Sequence, residues 1–305
     1  MQTLIGMAGG LRVGEDSSMD VSVIIPCLNG AATLDRQLAA LRAQTTDATF
    51  EVVVSDNGST DGSADLARKW ADGTFIVRVV DASSVKGINH SRNVGIAGSE
   101  SELLLFCDVD DRVHPGWIQG FWLAYKAGAR LVGGSVSRVF ADGSPALALE
   151  TGLNNDLLFL PWATGANCGV AREVVAECGP FDESFRGGGD ETEFFWRAQL
   201  AGFPLTYVSD AEVDYVQRAE TKSLFRQQHL YGRSHAKLYS LFRDAGMPRP
   251  RRMSSVRGVA SGTARIVLGT VAAGRGHELR QHGLRQLGQM TGRIAGSWAH
   301  RVWYV

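Results

Sequence analysis

Short apolar runs, each cut off by a polar, glycine-bearing turn, set the organisation of this 305-residue chain. The densest is Leu103-Leu104-Leu105-Phe106-Cys107, which reads as a buried strand because it is too short for a helix. Val21-Ser22-Val23-Ile24-Ile25-Pro26, Glu51 to Ser55, Phe75 to Val80 and Leu131 to Val139 repeat the pattern, with a last short strand at Leu205 to Val208. Pro26 ends the first run, since it has no N–H to give to a ladder. Segments of helical period lie between the strands. Leu34, Leu38 and Leu41 predict an amphipathic helix over 33–44, capped by Thr33. Further helices are expected over 62–71, 91–98, 172–176, 191–201 and 220–243, and from Pro115 to Lys126, where proline suits a first turn. The apolar stretch 147–160 is another helix candidate. Strand, turn and helix in repeated alternation imply parallel strands with crossover helices.

The strands stop at chemistry. The first runs into Asn29-Gly30, the second into Asp56-Asn57-Gly58-Ser59-Thr60-Asp61-Gly62, and the fourth into Asp108-Val109-Asp110-Asp111. Ligands of open α/β sheets bind at this carboxyl edge. Two carboxylates one residue apart repel unless a cation lies between them. A hard divalent ion with oxygen ligands, Mg²⁺ or Mn²⁺, answers that need, and such ions also hold phosphates. A solvated acidic turn, or a helix N-cap at Asp110 or Asp111, is the alternative. The turn after Asp56 opens a helix and suits an anionic or polar ligand; a plain Asx-turn competes with that reading. Arg92, placed in the first turn of 91–98, opposes the helix dipole. It therefore calls for an anion, either a phosphate or a salt bridge to Asp108 or Asp56. Four polar junctions on one edge converge as a nucleotide site does.

A second chemical stretch is Arg186-Gly187-Gly188-Gly189-Asp190-Glu191-Thr192-Glu193. Acids in a first helical turn suit the dipole on their own. The three glycines cost conformational entropy, which a loop closing over a ligand would explain. Upstream, Thr164 to Val170 holds small residues and two glycines, so something approaches that strand's backbone closely.

Composition is that of a globular protein, 44% hydrophobic and 21% charged. The net charge of −1 conceals an asymmetry. Residues 246–305 carry ten Arg, no Lys and one acid, Glu278, hence +9, while the rest carries 21 basic and 31 acidic residues, hence −10. An acidic body with a basic tail points the tail at an anionic surface. Ile266, Val267, Leu268, Val271, Trp298 and Trp303 are interleaved there, as in helices that lie in a membrane interface. Packing on the acidic body or an oligomer contact are the alternatives. Cys27, Cys107, Cys168 and Cys178 are far apart and read as reduced core residues, not a disulfide or zinc framework. No apolar stretch is long enough to span a membrane. Residues 1–19 lack a signal-peptide core and read as a disordered leader. The division is thus 1–19, a body over 20–245, and a basic amphipathic helical tail over 246–305.

Taken in order, Val21–Asn29, Asp56–Asp61, Ser91-Arg92-Asn93 with Gly95, Asp108-Val109-Asp110-Asp111, Gly165–Gly169 and Gly189-Asp190-Glu191-Thr192-Glu193 with Arg197 resemble the family 2 glycosyltransferases over 20–245. The resemblance implies a GT-A fold, an α/β architecture with a Rossmann-like, mostly parallel central sheet flanked by helices, here with a C-terminal helical extension. It implies an inverting enzyme that uses a nucleotide-diphosphate sugar and Mn²⁺ or Mg²⁺. On that basis Pro26, Asn29, Asp56, Arg92, Asn93 and Asp108 line the donor site, with Asp56 on the nucleobase. Asp108 and Asp110 hold the metal, and Gly188 and Gly189 form the acceptor loop. Counting back from Arg197, Glu191 stands at the catalytic base. Asp190 is the alternative, because the family's Glu-Asp order is reversed. Asp214 stands where many relatives carry a histidine metal ligand, which leaves His229 and His235 as ordinary polar residues. The processive Gln-x-x-Arg-Trp signature does not follow Gln217-Arg218, which implies transfer of a single sugar. The acceptor would be a glycan or lipid-linked hydroxyl, and no nucleic acid is expected. The enzyme would be cytoplasmic, with peripheral contact to the inner face of the cell membrane through 251–305. A nucleotidyltransferase and a non-catalytic nucleotide-sugar-binding or membrane scaffold protein are the rival readings.

Overall fold

The computed structural model describes residues 19–140, 142–146, 149–216, 221–251, 253–271 and 276–305, with side chains of 221–223 excluded. Residues 1–18 of the expected leader and the Gln217-Arg218 pair lie outside the described residues. Strand and helix alternate first through β1 (Val21–Cys27), α1 (Ala31–Arg42), β2 (Phe50–Asp56), α2 (Ser63–Lys69), β3 (Val77–Asp81), α3 (Ile88–Ala97) and β4 (Leu103–Cys107). There follow β5 (Arg112–Val113), α4 (Trp117–Lys126), β6 (Leu131–Val139), β7 (Asn167–Ala171), α5 (Arg172–Cys178), α6 (Asp190–Leu200) and β8 (Leu205–Val216). Three long helices end the chain: α7 (Thr221–Phe242), α8 (Ser254–Val271) and α9 (Gly276–Ala299).

Among the described residues the strands form one sheet in the order β3-β2-β1-β4-β7-β6-β8-β5. The β3-β2-β1-β4 half is parallel, as the alternation requires, while β7 enters antiparallel between β4 and β6. Side chains split between the two faces with period two. Val23, Ile25, Val52, Val54 and Leu105 face Leu34, Leu38, Trp117 and Phe121 of α1 and α4. Ile24, Val53, Leu104 and Phe106 face Ile96, Phe194 and Phe195 of α3 and α6. Both faces are covered, which is why these strands read as unbroken apolar runs. The small residues of β7 have a packing cause. A Cβ on Gly169 would lie 2.6 Å from Leu105 and 2.7 Å from Val132.

Several expectations are corrected. Helix α1 begins at Ala31 and Thr33 does not cap it; the Thr33 hydroxyl donates back to the Gly30 carbonyl. The caps come from a neighbouring turn, where Asp61 accepts the Ala31 N–H and Ser63 accepts that of Gly30. Helix α3 begins at Ile88, so Arg92 stands beyond its first turn. Pro115 lies outside α4, whose N-cap is the left-handed Gly116. The described part of 147–160 is not helical. Glu150 bridges to Val136 and Asn154 to Trp162, and Gly152 and Leu158 have positive φ. Strand β8 runs eight residues beyond Val208, past a register shift opposite Gly134/Ser135. Its second half alternates buried Ala211 and Val213 with polar Glu212 and Asp214.

The inner side of the tail packs on the body, and charge does not drive it: α7, the helix it meets, contains no Asp or Glu. Contact is backbone to backbone through glycines. Gly288 lies on the Phe225 carbonyl, Gly292 on His229 and Gly296 on Arg233, so α9 sits directly on α7. Gly262 and Gly269 of α8 lie in turn on Gly283 and Gly276 of α9. Tyr304 stacks on Tyr239 at 4.9 Å and joins the cluster of Trp196, Leu238 and Phe242. Among the described residues no helix is long and apolar enough to cross a membrane. Gly292→Val places a branched side chain against the His229 backbone and should cost about 1–3 kcal/mol as overpacking. Thermal unfolding should show a lowered Tm and proteolysis an earlier release of the tail; an unchanged Tm would refute this packing.

Candidate active site

The carboxyl ends of β1, β2 and β4 bring three turns together. In the β1–α1 turn Asn29 has a φ of 54° and accepts the Thr60 N–H at 2.9 Å, while its own N–H goes to Ser59. This turn is thus stapled to the one after β2, and Asn29 is spent on the staple. Pro26 stands in β1 opposite Ser55, beyond the end of the β4 ladder at Ile24. Asp56 is part-exposed and accepts the Ser59 N–H at 3.2 Å, so the Asx-turn is real and includes it. Sequence reasoning passed over Asn57 and Lys86. The Asn57 side-chain amide donates to Ala82 and Val85 and accepts from Gly87, and the Lys86 ammonium reaches the Asn57 carbonyl at 2.6 Å. A cation therefore stands beside the Asp56 turn.

After β4, Asp108, Asp110 and Asp111 each offer a carboxylate oxygen, all within 4.8 Å of one another. Two α1 side chains hold the turn by its backbone. Gln37 donates to the Asp108 carbonyl and accepts the Val113 N–H, and Arg36 donates to the Asp110 carbonyl at 2.6 Å. Neither was singled out from sequence, where Gln37 appears only as a polar residue in an amphipathic helix. Asp111 is buried; its Oδ1 accepts the Val216 N–H, and its Oδ2 has no hydrogen-bond partner. Burial, and then the Asp108 charge, push this carboxyl well above the usual carboxylate range. A buried orphan oxygen among three crowded acids fits a hard divalent cation with oxygen ligands.

Arg92 is the centre of the second group. It is buried, donates to Asp190 Oδ2 at 2.6 Å and stacks over Phe181 at 5.4 Å. Its partner is neither Asp108 nor Asp56, the two salt bridges expected. Helix α3 carries it deep enough to meet α6, and the missing Cβ of Gly165 leaves room for its guanidinium. Burial opposes the Arg92 charge, but Asp190, Asp108 and Glu191 outweigh it and hold the pKa above its ordinary value. Asp108, Asp190 and Glu191 thus share one electrostatic field. Burial, then the Asp190 charge, raise Glu191 well above the usual carboxylate range, with Arg92 opposing. Burial puts the Cys168 thiol beside them at about 12, so it is inert at neutral pH.

Other expected residues face elsewhere. Asn93 is not brought to the acids; its amide pairs with the Phe181 backbone and reaches Glu183. Gly187, Gly188 and Gly189 all have positive φ and lie on Leu230, Tyr231 and Ser234 of α7. Their glycine identity has a fixed cause, close contact in a left-handed backbone, besides any motion. Asp214 is held by Arg112 at 2.5 Å and by His114 at 2.7 Å, in a separate group with Glu212. His229 bonds Thr291, and His235 is buried beside Arg293, which fits ordinary helix residues.

Known proteins share parts of this sequence and its fold. The family described as Glycosyl transferase family 2 matches residues 22–163, which include the Asp108–Asp111 turn. Over those residues the chain is similar to glycosyl transferase family 2. The chain is 32% identical over 197 residues to Glycosyltransferase AglE of Haloferax volcanii, covering 62% of this chain and 64% of that one. It is 28% identical over 259 residues to Validoxylamine A glucosyltransferase of Streptomyces hygroscopicus, covering 72% and 61%. With Succinoglycan biosynthesis protein ExoA of Rhizobium meliloti it shares 28% over 270 residues, covering 78% and 75%. The match thus spans less than two thirds of the length of the first two relatives. Among solved structures, a Pyrobaculum calidifontis mannosyltransferase in complex with GDP-Man and Mn²⁺ superposes with a TM-score of 0.63 at 16% identity. That superposition covers 92% of this chain and 88% of that one. S. aureus TarS in complex with UDP-GlcNAc gives 0.55 at 16%, covering 94% and 93%. At such identity these two establish the fold, which is GT-A.

Two outcomes follow for stability. Arg92→Ala leaves Asp190 buried without its cation and should cost about 3–5 kcal/mol in denaturant unfolding. Glu191 is an acid whose folded pKa is raised, so its neutral form favours the fold and that stability is lost as pH rises through the raised value. Glu191→Gln should therefore raise Tm at pH 7, with the gain vanishing below the ordinary carboxylate pKa; a gain equal at both pH values would contradict the raised pKa.

Proposed function

We propose that this chain is an inverting glycosyltransferase that moves one sugar from a nucleotide-diphosphate sugar to an acceptor hydroxyl. Residues 20–245 carry the chemistry and 246–305 form the tail. One observation carries the reading: Glu191, its pKa raised by burial, shares a field with Arg92 and the Asp108 turn at the carboxyl edge of the sheet. The named transferase relatives, and fold neighbours in complex with GDP-Man and UDP-GlcNAc, support it.

The roles divide by what each residue is free to do. Asp56 and Lys86 flank the edge where the nucleobase would lie. Asp108 and Asp110, with Asp111 behind them, would hold Mn²⁺ or Mg²⁺, which when bound neutralises charge on the departing diphosphate. Asp190 is committed to Arg92 and positions the first turn of α6. Glu191 is the base: it takes the proton of the acceptor hydroxyl as that oxygen attacks the anomeric carbon from the face opposite the diphosphate. In-line displacement inverts the anomeric centre. A carboxylate with a raised pKa is a stronger base than an ordinary one, which favours Glu191 over Asp190. The glycine loop on Tyr231 closes the acceptor side and excludes water. The acceptor is a glycan or lipid-linked glycan of envelope or polysaccharide synthesis, and the basic tail brings a cytoplasmic enzyme to the inner face of the membrane.

A thermal-shift panel of UDP-, GDP-, dTDP- and CMP-sugars with Mn²⁺, Mg²⁺ or EDTA tests the donor site. A donor at 100 times its Kd should stabilise by about 2.7 kcal/mol, only with metal, and Asp110→Ala should abolish the effect. Absence of any shift would favour a scaffold role. Glu191→Gln should keep the donor shift and lose roughly 10²–10⁴ in turnover; turnover at the wild-type level would remove Glu191 as base.

A further inference from the structure

Helix α8 is the outermost layer of the C-terminal helices, with its glycines turned inward onto α9. Its outward side is apolar along its whole length. Met253, just before the helix, and Val256, Ala260, Ala264, Val267, Leu268 and Val271 recur at spacings of three and four and are all exposed. Val267 is 59% exposed, Leu268 56% and Val271 79%. Eighteen residues at helical rise make a stripe about 27 Å long. Soluble surfaces rarely leave such a contiguous apolar stripe unpartnered.

The charge around the stripe says what covers it. Helix α8 contains no acid, Arg257 on it is exposed, and Arg249 and Arg251 precede it. The whole segment 246–305 carries +9. At the end of α9 that runs back beside the start of α8, Trp298 is 87% exposed. An apolar helical face, flanking arginines and interfacial tryptophan suit the boundary of an anionic bilayer. A second copy would bring two such basic faces together.

We infer that the outer face of α8 docks flat on an anionic lipid surface, with Val267, Leu268 and Val271 in the acyl boundary. This deepens the membrane part of the reading above: the glycine face of α9 is spent on α7, and α8 supplies the lipid contact. The docked face is coupled to the acceptor side by rigid layers, since α9 lies on α7 and α7 carries the Tyr231 ring against Gly188.

The test mixes the full chain with vesicles of phosphatidylglycerol and phosphatidylcholine, or of phosphatidylcholine alone, and measures co-sedimentation. Binding should need the anionic lipid and weaken with salt. Val267→Glu/Leu268→Glu should bind about tenfold more weakly. Both positions are solvated, so the fold should persist; circular dichroism checks it, and Val271→Glu is the second variant. Binding without anionic preference, or unchanged in both variants, would overturn the inference. So would a wild-type dimer by light scattering that the double variant dissolves while no vesicle binding is seen. Nucleotide release from the donor sugar in solution is followed on the same variants and stays at the wild-type level, so failure of docking and failure of the transfer reading give different results.

Discussion

The buried ion pair between Arg92 and Asp190 is the constraint on which the site depends. It joins α3, which belongs to the parallel half of the sheet, to α6, which belongs to the added half. A guanidinium so enclosed is tolerable only with its charge matched and its plane packed, here by Asp190 and Phe181. The consequence reaches Glu191, the next residue. With Asp190 taken by Arg92, Glu191 is left part-buried beside the Asp190 carboxylate and one shared cation, and its proton affinity rises.

A second dependence runs outward through glycine. The loop ahead of α6 lies on side chains of α7, and between α7 and α9 and between α9 and α8 missing side chains let backbones approach. The helix layers have little slack, because a Cβ added at Gly262, Gly288 or Gly292 meets backbone. The acceptor side is thereby built on the same stack that ends in the apolar face of α8. The basic character of the tail is spent outside the stack, since α7 offers no acid to pair with it.

Much of this was legible in the sequence, for definite reasons. Strands β1, β2 and β4 are covered on both faces, hence their apolar runs announced themselves, and the acids that end β2 and β4 marked the edge of the sheet. The turn at Asp108–Asp111 needed no tertiary information, because adjacent carboxylates on a buried strand have few explanations. The residues that hold this turn were invisible. Gln37 and Arg36 lie on a helix about 70 positions earlier and act on backbone carbonyls, which no local pattern reveals. The misread helix over 147–160 has the same origin: apolar content without a period cannot tell a sheet edge from a helix.

Local order along the chain set the alternation that makes a parallel sheet, the acidic turns at its edge and the charge split between body and tail. These depend on local steric and solvation preferences, each satisfied within a few residues. Which charges meet was settled by packing in three dimensions. Arg92 had three anionic candidates on its own edge of the sheet and took a fourth, Asp190, ninety-eight positions away. Helix caps, likewise, came from Asp61 and Ser63 across the turn and not from Thr33 beside it. Hydrogen bonds and ion pairs reward proximity in space, and a chain of this length brings together residues whose spacing along it carries no trace of the encounter.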